Sequence, residues 1–494
     1  MSNKVMRPHK LFVFVVAVLL FVAPPSGFSG NLSTDPLADR FRESVNRVLS
    51  HSCLSNAKVG IRIRSLEKKD VLYERNGDQL FIPASNMKLL TTAAALRNLG
   101  PDYRFMTRLY TMGRIRQGVL EGDLYVKGFG DPYLVTEQMW LMANEIKNLP
   151  LKKVEGNIIA DDSFFDGELR VKTWKKDWGA EAYNAPLGAL SFNFNTVTVH
   201  VQPGLTSGSR PVLIVDPDID YFKLTNSALT LPFNRRRGKL IVNRVAVDGH
   251  NEIHVSGRIP INGGRKSFYL NITDPTQYSV KVLKKNLQQA GVEISGDAIK
   301  GKVPQDALLL VEHQSVPLAE IIRGLNKFSN NFMAEQVLKT LGAEMINAPG
   351  TTEKGLRVIR QYMKSLGYLP HQYAALDGSG LSRGSRLTPA QIVSVLEDIY
   401  ADLSVYPEFI TALGVMGLDG SVKKRMRKKK EARIVRVKTG TLNHVSALSG
   451  YFQSGDGERF AFSMLMNDLK CSNGHILDLQ DKIISKAIHF RRSR

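Results

Sequence analysis

The chain has few cysteines and none of the short motifs that bind metals or nucleotides. Only Cys53 and Cys471 occur among its 494 residues, which excludes a disulfide-stapled scaffold and a cysteine-rich metal site. The ten histidines form no H-E-x-x-H pattern, and no Walker or dinucleotide-binding fingerprint is present. The sequence therefore predicts a protein without a metal and without a cofactor. It leaves open whether the two cysteines form one disulfide or stay as buried thiols.

Long apolar runs are also scarce. The one present, residues 11–22, follows three basic residues and precedes a segment of Pro, Ser and Gly. This order is typical of a secretory signal peptide, and the run is too short to span a bilayer comfortably. We therefore expect residues 1–29 to be a signal peptide and the protein to be exported to the periplasm. The alternative is an uncleaved membrane anchor, because no clean Ala-x-Ala site follows the run.

Acidic residues are outnumbered by basic ones. The chain has 67 Lys and Arg against 46 Asp and Glu, a formal net charge of +21. Such a charge attracts anionic polymers, and outside the cytoplasm these are lipid headgroups, lipopolysaccharide or acidic glycans and peptides, not nucleic acid. The densest basic run, KKRMRKKK at 423–430, predicts a solvated loop. The alternative is contact with an anionic envelope surface, which would make the protein membrane-associated.

The length of the chain exceeds what one hydrophobic core usually serves, so we expect two or three domains. Helical spacing at 37–49, an alternating hairpin at 58–81 and a Leu- and Ala-rich helix at 86–99 come first. Short alternating strands follow, and then helices, three strands and a final helix. This order predicts an α/β (α+β) fold in which both chain ends build one helix-flanked sheet. The expected domains are a core of residues 30–104 and 306–494, and a β-rich insertion in two lobes, 105–162 with 272–305, and 163–271.

Ser85 and Lys88 are a candidate catalytic pair. They form one of four Ser-x-x-Lys pairs, which begin at Ser55, Ser65, Ser85 and Ser421. Ser85 alone heads a predicted buried helix, on which side chains three residues apart share a face, so the Lys88 amine can reach the Ser85 hydroxyl. A neutral lysine there would be the base that activates the serine. The alternative is that Ser85 caps the helix and Lys88 only snorkels to the surface.

Two further motifs follow in the chain. Ser329 and Asn331 frame the triplet SNN between two predicted helices, where they can point into a cleft. The alternative is an N-cap for the second helix. The segment VKTGT at 437–441 lies inside a predicted strand, where Gly440 would let a substrate backbone lie along the sheet edge. The alternative there is an ordinary strand with an exposed lysine, Lys438.

In this order, Ser-x-x-Lys, Ser-x-Asn and Lys-Thr-Gly are the motif set of serine β-lactamases and penicillin-binding proteins. Ser329 follows Ser85 by 244 residues but precedes Lys438 by only 109, so a large insertion separates the first two motifs. With GDLYVKGFGDP at 122–132 and LDGSGLSR at 376–383, the chain resembles the class C low-molecular-mass penicillin-binding proteins. These are D-alanyl-D-alanine carboxypeptidases and endopeptidases of the penicillin-binding protein 4 type. The resemblance implies a serine β-lactamase/DD-transpeptidase-like core, with an antiparallel sheet flanked by helices.

The resemblance also implies a role for each motif residue. Ser85 would be the acylated nucleophile, Lys88 its general base, and Ser329 the relay that passes a proton to the leaving amine. The oxyanion hole would consist of the backbone N–H groups of Ser85 and Thr441. The implied substrate-binding residues are Asn331 for the amide, Lys438 and Thr439 for the terminal carboxylate, Gly440 and Thr441 on the strand, and Asp161, Phe165 and Arg383 for the peptide stem.

The implied function is that of an exported serine DD-peptidase. It would hydrolyse the terminal D-Ala-D-Ala bond of peptidoglycan stem peptides, D-Ala-diamino acid cross-links, or both, and β-lactams would inhibit it by acylating Ser85. Two alternatives share the motifs, a β-lactamase and a catalytically silent peptidoglycan-binding protein. The long insertion favours a polymer substrate, and the intact motif set favours an enzyme. The family often has Gln where Asn443 stands and Gly where Phe129 stands, which leaves the substrate preference open.

Overall fold

The structure is a computed structural model that describes residues 31–149, 151–174, 179–233, 238–247 and 250–492. The predicted signal peptide lies outside these residues. Within them, every helix is too short or too polar to cross a bilayer.

The described residues form ten α-helices and twenty-two strands. The helices are α1 (Pro36–Leu49), α2 (Met87–Leu99), α3 (Thr136–Lys147), α4 (Pro275–Gln289), α5 (Leu318–Phe328), α6 (Asn331–Met345), α7 (Thr352–Ser365), α8 (Pro389–Tyr400), α9 (Tyr406–Ala412) and α10 (Asn473–Ile488). The strands before the insertion are β1 (Lys58–Ser65) and β2 (Val71–Arg75). The strands of the insertion are β3 (Met106–Thr111), β4 (Arg114–Arg116), β5 (Val119–Glu121), β6 (Leu124–Gly128), β7 (Lys153–Val154), β8 (Ile158–Asp161), β9 (Thr196–Gln202), β10 (Val212–Asp216), β11 (Phe222–Asn226), β12 (Leu229–Leu231), β13 (Leu240–Val247), β14 (His250–Pro260), β15 (Lys266–Asn271), β16 (Glu293–Ile294), β17 (Ala298–Lys300) and β18 (Leu308–Gln314). The last four are β19 (Gly414–Val415), β20 (Arg436–Leu442), β21 (Val445–Gln453) and β22 (Arg459–Asn467).

One six-stranded sheet joins the two ends of the chain. Its order is β19-β20-β21-β22-β1-β2, and every neighbouring pair is antiparallel. Strand β1 pairs with β22 from Lys58 opposite Asn467 to Ser65 opposite Phe460. The predicted hairpin at the start of the chain and the sheet built from both ends are therefore confirmed.

Both faces of this sheet are covered, because alternate residues along each strand feed two separate apolar clusters. Ala447 and Leu465 belong to the cluster that contains α2 and α5 to α8. Leu448 and Met464, one position away on the same strands, belong to the cluster that contains α1 and α10. Helix α2 is the most enclosed, since all residues from Met87 to Leu96 are buried. A helix that is buried on every side lies inside the domain.

The insertion between α2 and α5 is rich in strands, as expected. Its strands form sheets of order β17-β8-β6-β3-β18, β16-β7-β5-β4, β10-β9-β15, and β11-β14-β12 with β13 paired to β14. One apolar cluster runs through these sheets and the packed faces of α3 and α4. Strand β18 is antiparallel to β3, so its hydrogen bonds belong to the inserted sheet although the predicted boundary at 306 precedes it.

Cys53 and Cys471 form a disulfide with a Cα–Cα distance of 5.5 Å, which settles the alternative that the sequence left open. The bond links the segment after α1 to the segment before α10. The two helices also pack on the same apolar cluster. The disulfide therefore links the two chain segments whose helices cover one face of the six-stranded sheet.

Candidate active site

The turn that carries Ser85 is held in an unusual backbone conformation. Ala84 has φ 46°, a left-handed value that costs a residue with a side chain about 1–2 kcal/mol. A Cβ at Gly380 would lie only 1.8 Å from the carbonyl oxygen of Ala84, so the neighbouring loop presses directly on this turn. Strained backbone that the surroundings enforce is frequent at active sites.

Ser85 does not cap α2. The N-cap position belongs to Asn86, whose side chain donates a hydrogen bond of 3.0 Å to the carbonyl oxygen of Lys438 on β20. The capping role considered for Ser85 is therefore wrong, and Asn86 ties the start of α2 to the strand that carries the third motif. The hydroxyl of Ser85 remains directed at Lys88.

The Lys88 amine is completely buried and makes three hydrogen bonds within the described residues. Its Nζ lies 3.1 Å from Ser85 Oγ, 2.7 Å from Asn331 Oδ1 and 2.7 Å from the carbonyl oxygen of Ser379. Lys88 therefore does not snorkel to the surface, and its amine touches both the first and the second sequence motif.

Burial sets the protonation state of this amine. It lowers the pKa of Lys88 from 10.5 to about 7, against the opposing effect of the Asp377 and Glu335 carboxylates. A neutral amine has two N–H donors and one lone pair. Because the oxygens of Asn331 and Ser379 can only accept, they take the two donors and leave the lone pair for the Ser85 hydroxyl. The arrangement therefore suits proton abstraction from Ser85.

Ser329 and Lys438 form a second pair beside the first. Ser329 lies between α5 and α6 with φ 58° and ψ 39°, a left-handed conformation, and its Oγ accepts a hydrogen bond of 2.8 Å from Lys438 Nζ. The side chain that caps α6 is Asn330, which accepts from the Met333 N–H. The cap considered for the SNN motif is therefore supplied by its middle residue, and Ser329 and Asn331 are left for the cleft.

Lys438 is as deeply buried as Lys88. Burial and the neighbouring Lys88 ammonium lower the pKa of Lys438, because two like charges in a dry site disfavour each other. Its amine also donates to the carbonyl oxygen of Thr439 at 2.8 Å. The alternative of an exposed lysine on an ordinary strand is therefore wrong, since this side chain is buried and its amine donates to Ser329.

Strand β20 lies against the Ser85 turn because position 440 is glycine. A Cβ on Gly440 would lie 3.0 Å from both the Pro83 carbonyl oxygen and the Ser85 nitrogen, and 3.1 Å from the Ala447 Cβ. Contacts this short require the neighbours to move. Glycine thus lets the strand approach the serine backbone. This explains the glycine differently from the sequence analysis, which expected it to make room for a substrate backbone.

A cleft of about 500 Å³ opens above these residues. Trp174, Tyr183 and Asn184 of the insertion form part of its wall, and Arg383 and Asn443 lie across from the motifs; the other lining residues are Ser85, Ser329, Asn331, Gly380, Leu381, Thr441 and Leu442. The structure therefore brings Ser85, Ser329, Asn331, Thr441 and Arg383 to one cavity. Lys88 and Lys438 lie beneath it through their bonds to Ser85 and Ser329.

Asp161 and Phe165 do not line this cleft. The buried Asp161 carboxylate accepts from Lys127 Nζ at 3.2 Å and from the N–H groups of Ser163 and Val303 at 2.8 and 2.9 Å. Phe165 packs on Phe164 with ring centroids 5.6 Å apart. Both side chains are occupied inside the protein, so their predicted role toward the peptide stem remains a prediction.

Sequence reasoning missed a pair of buried acids, Glu335 and Asp377. Burial, reinforced by the neighbouring Asp377 carboxylate, raises the pKa of Glu335 to about 7. Both residues are completely buried, and both act on the charge of Lys88. The available signal was a lone acidic residue in the apolar stretch NFMAEQVL of α6, because Glu and Asp are rarely buried without a specific reason.

Comparisons with known proteins show which family this chain matches. The model of the D-Ala-D-Ala carboxypeptidase 3 (S13) family matches residues 41–486. A D-alanyl-D-alanine carboxypeptidase of Actinomadura sp. (strain R39) is 33% identical over 445 residues, which covers 86% of this chain and 80% of that protein. The D-alanyl-D-alanine carboxypeptidase DacB of Haemophilus influenzae is 24% identical over 421 residues, covering 85% of this chain and 87% of that protein.

Solved structures give the same fold. The crystal structure of penicillin binding protein 4 (dacB) from Haemophilus influenzae has a TM-score of 0.78 at 22% sequence identity, and the match covers 90% of this chain and 99% of that one. A predatory peptidoglycan endopeptidase from Bdellovibrio bacteriovorus has a TM-score of 0.51 at 15% identity, covering 89% and 95%. The expected penicillin-binding core is therefore confirmed as the fold of this chain.

Proposed function

The chain belongs to the D-Ala-D-Ala carboxypeptidase 3 (S13) family, and from this premise we propose how its residues cleave peptidoglycan stem peptides. It is a serine carboxypeptidase, and its nucleophile is Ser85. The observation that carries this assignment is the contact of 3.1 Å between the Ser85 hydroxyl and the buried Lys88 amine. No cofactor takes part in this chemistry.

The first half of the reaction forms an ester on Ser85. Its Oγ attacks the carbonyl carbon of the penultimate D-alanine, and Lys88 takes the hydroxyl proton. The peptide bond breaks, and the leaving amine receives a proton through Ser329, whose hydroxyl is bonded to Lys438. Water then hydrolyses the ester in the second half, with the same groups moving the proton in the opposite direction.

The substrate carboxylate completes the charge balance of the site. Lys438, with Thr439 beside it, is the cation available for the terminal carboxylate. A bound carboxylate favours the protonated form of Lys438, and that positive charge in turn disfavours a proton on Lys88. Binding of a substrate that ends in a carboxylate therefore prepares the base, which explains why two buried lysines lie in one site.

The backbone N–H groups of Ser85 and Thr441 form the oxyanion hole in this proposal. The close approach of Gly440 to the Ser85 nitrogen supports it, since the next residue of β20 is then beside the turn. Asn331 orients the substrate amide, and its position is fixed by Lys88 on one side and by the carbonyl oxygen of Tyr183, 3.2 Å from its Nδ2, on the other.

The same chemistry cleaves a cross-link when the leaving amine is the side chain of a diamino acid. We propose that the protein has both activities, because the cleft continues past Ser85 to an exposed cation. Arg383 lines this end and donates to the carbonyl oxygen of Asn443 at 3.0 Å, and in this proposal its guanidinium binds the peptide stem. β-Lactams acylate Ser85 in place of the substrate.

The test measures products and adduct together. Purified protein is incubated with a pentapeptide that ends in D-Ala-D-Ala, with a cross-linked muropeptide and with a fluorescent penicillin, beside the Ser85→Ala variant. The proposal requires D-alanine release, cross-link cleavage and a slowly decaying adduct, all absent from the variant. Rapid turnover of the penicillin without D-alanine release identifies a β-lactamase, and no reaction at all identifies a silent binding protein.

We also propose that the protein is exported and that its basic segment at 423–430 contacts anionic lipid. The segment begins beside the cleft, because Ser421 Oγ lies 2.7 Å from Thr439 Oγ1. Arg425 anchors it to α10 through Asp481 at 2.7 Å, while its other cations are exposed. A cluster of exposed cations so close in sequence matches a phosphate-bearing surface.

Vesicle sedimentation tests this contact. Replacement of Lys423, Lys424, Arg427 and Lys428 by Glu should abolish binding to phosphatidylglycerol vesicles at low salt. The matched control replaces four exposed lysines of the insertion, Lys152, Lys223, Lys285 and Lys302, and should retain most of the binding. Equal losses in the two variants would mean that net charge, not this segment, attracts the protein.

A further inference from the structure

We infer that Glu335 is a positioning residue for acylation, because its carboxylate holds the backbone that aims the Ser379 carbonyl oxygen at the Lys88 amine. This inference rests on the proposed roles of Ser85 and Lys88. It adds a residue from α6 that lies outside the three sequence motifs.

Within the described residues, the Glu335 carboxylate accepts hydrogen bonds from one loop only, residues 377–382. Its Oε1 accepts the N–H of Gly378 at 3.1 Å and of Ser379 at 2.8 Å, and its Oε2 accepts the N–H of Gly378 at 3.0 Å. All three residues are enclosed by protein. Two successive backbone donors on one carboxylate fix the orientation of the peptide units between them.

Asp377 accepts hydrogen bonds from further backbone N–H groups of the same loop. Its Oδ1 accepts the Gly380 N–H at 3.0 Å, and its Oδ2 accepts the Ser382 N–H at 2.7 Å. The indole N–H of Trp174, from the insertion, donates to Oδ2 at 3.0 Å. Backbone N–H groups of the loop therefore donate to two carboxylates, those of Glu335 and Asp377.

The carbonyl groups of the loop consequently point toward α2. The Ser379 oxygen accepts from Lys88 Nζ at 2.7 Å, and the Gly378 oxygen accepts from Thr91 Oγ1 at 2.7 Å. The Ser379 carbonyl is one of the two acceptors that leave the Lys88 lone pair facing Ser85. The Ser379 carbonyl shares its peptide unit with the Gly380 N–H, which Asp377 holds, and Glu335 fixes the preceding peptide unit through the Ser379 N–H. Glu335 therefore helps to set the direction of this carbonyl, and with it the geometry of the base, without touching the substrate.

A carboxylate at this place also changes the charge on Lys88. The groups that face the Lys88 amine are Ser85 on its own helix, Asn331 and Glu335 on α6, Asp377 and Ser379 on the loop, and Lys438 on β20. Of these, the Glu335 and Asp377 carboxylates raise the pKa of Lys88 and counteract burial. The pKa of Glu335 is itself raised to about 7, so its charge acts on Lys88 mainly near and above that pH. Removal of this charge therefore lowers the pKa of Lys88 further in that range, while loss of the Ser379 alignment slows proton transfer.

The experiment compares Glu335→Gln with the full-length wild-type protein. Acylation by a fluorescent penicillin is followed by stopped flow from pH 5 to 9. We expect the maximal rate to fall about 10- to 100-fold, the scale of a misaligned catalytic group. We also expect the acidic limb of the profile to move to lower pH, which loss of stability alone would not produce.

The matched control is Asp131→Asn. Asp131 is another buried carboxylate, whose pKa burial raises to about 7, and it accepts the Tyr133 N–H in the insertion. Its replacement by asparagine removes a buried carboxylate of the insertion, outside the motifs, and should leave the pH profile in place. A slower E335Q whose acidic limb coincides with the wild type would show that Glu335 only stabilises the fold, and would overturn the inference.

Glu335→Asp keeps the test informative if Glu335→Gln does not fold. It retains the charge but withdraws the carboxylate by one methylene, so the rate should fall while the acidic limb stays near its wild-type position. A wild-type rate in E335D would contradict the positioning role. Absence of an adduct on Ser85 in the wild-type protein is a separate outcome, because it refutes the proposed function itself.

Discussion

The Lys88 amine lies 3.1 Å from the Ser85 hydroxyl, and this is the longest of its three hydrogen bonds within the described part of the chain. The two shorter bonds, both 2.7 Å, go to carbonyl oxygens. A neutral amine in this position has no free donor left for the serine, so the hydroxyl must donate to the lone pair. The base is thus aligned before a substrate arrives.

Replacement of Lys88 by Arg should slow acylation strongly while the protein remains folded. A guanidinium stays protonated in proteins and cannot accept the Ser85 proton, so the rate should fall by about 10²- to 10⁴-fold. Stopped-flow acylation with a fluorescent penicillin measures the effect. Lys68→Arg is the matched control, since Lys68 is the exposed lysine of another Ser-x-x-Lys pair; equal rates in the two variants would exclude Lys88 as the base.

The acylation rate should rise with pH through the pKa of Lys88, about 7. Burial lowers this pKa, and only the neutral amine accepts a proton, so the rate should fall about tenfold for each pH unit below that value. Rates measured from pH 5 to 9 with a penicillin that is stable over this range provide the test. A rate that begins to rise only above pH 9 would mean that Lys88 behaves as an exposed lysine.

Gly440→Ala should separate β20 from the Ser85 turn. The added Cβ meets the Pro83 oxygen and the Ser85 nitrogen at 3.0 Å, and such overpacking costs about 1–3 kcal/mol. We expect slower acylation together with a lower free energy of unfolding. Gly167→Ala is the control because a Cβ there meets no atom within 4 Å; a normal acylation rate in G440A would remove the structural reason for this glycine.

Loss of the disulfide should destabilise the core domain without changing the active site. The bond closes a loop of 418 residues between Cys53 and Cys471, and removal of such a bond costs about 2–5 kcal/mol. Guanidinium unfolding of the Cys53→Ser, Cys471→Ser double variant measures the loss. Reductant should shift the wild-type transition but not that of the variant, and equal shifts in both would contradict the assignment.

The sequence was most informative where short motifs with reactive side chains follow one another in a characteristic order along the chain. Ser85, Ser329 and Lys438 could be picked out as candidate site residues because three short motifs in one order are rare together, and the hairpin and the enclosed α2 could be predicted from periodicity. The fold class followed from the same patterns. These features are local, or depend only on the order of local features.

The rest depends on contacts between distant segments. Trp174 and Asp377 are 203 residues apart in the chain and form one hydrogen bond, which no local pattern predicts. The alternative that Ser85 only caps α2 could not be dismissed from the sequence, because only the folded chain shows that the N-cap position belongs to Asn86, which reaches β20. Gly440 was expected to accommodate a substrate, whereas its nearest neighbours belong to the Ser85 turn.

The most direct test of the central claim is to locate the penicillin adduct. The protein is labelled, digested and analysed by mass spectrometry, and D-alanine release from a pentapeptide is measured on the same sample. The proposed mechanism predicts one adduct, on the peptide that contains Ser85, in an amount that matches the loss of D-alanine release. An adduct on any other residue, or full D-alanine release from protein labelled at Ser85, would contradict it.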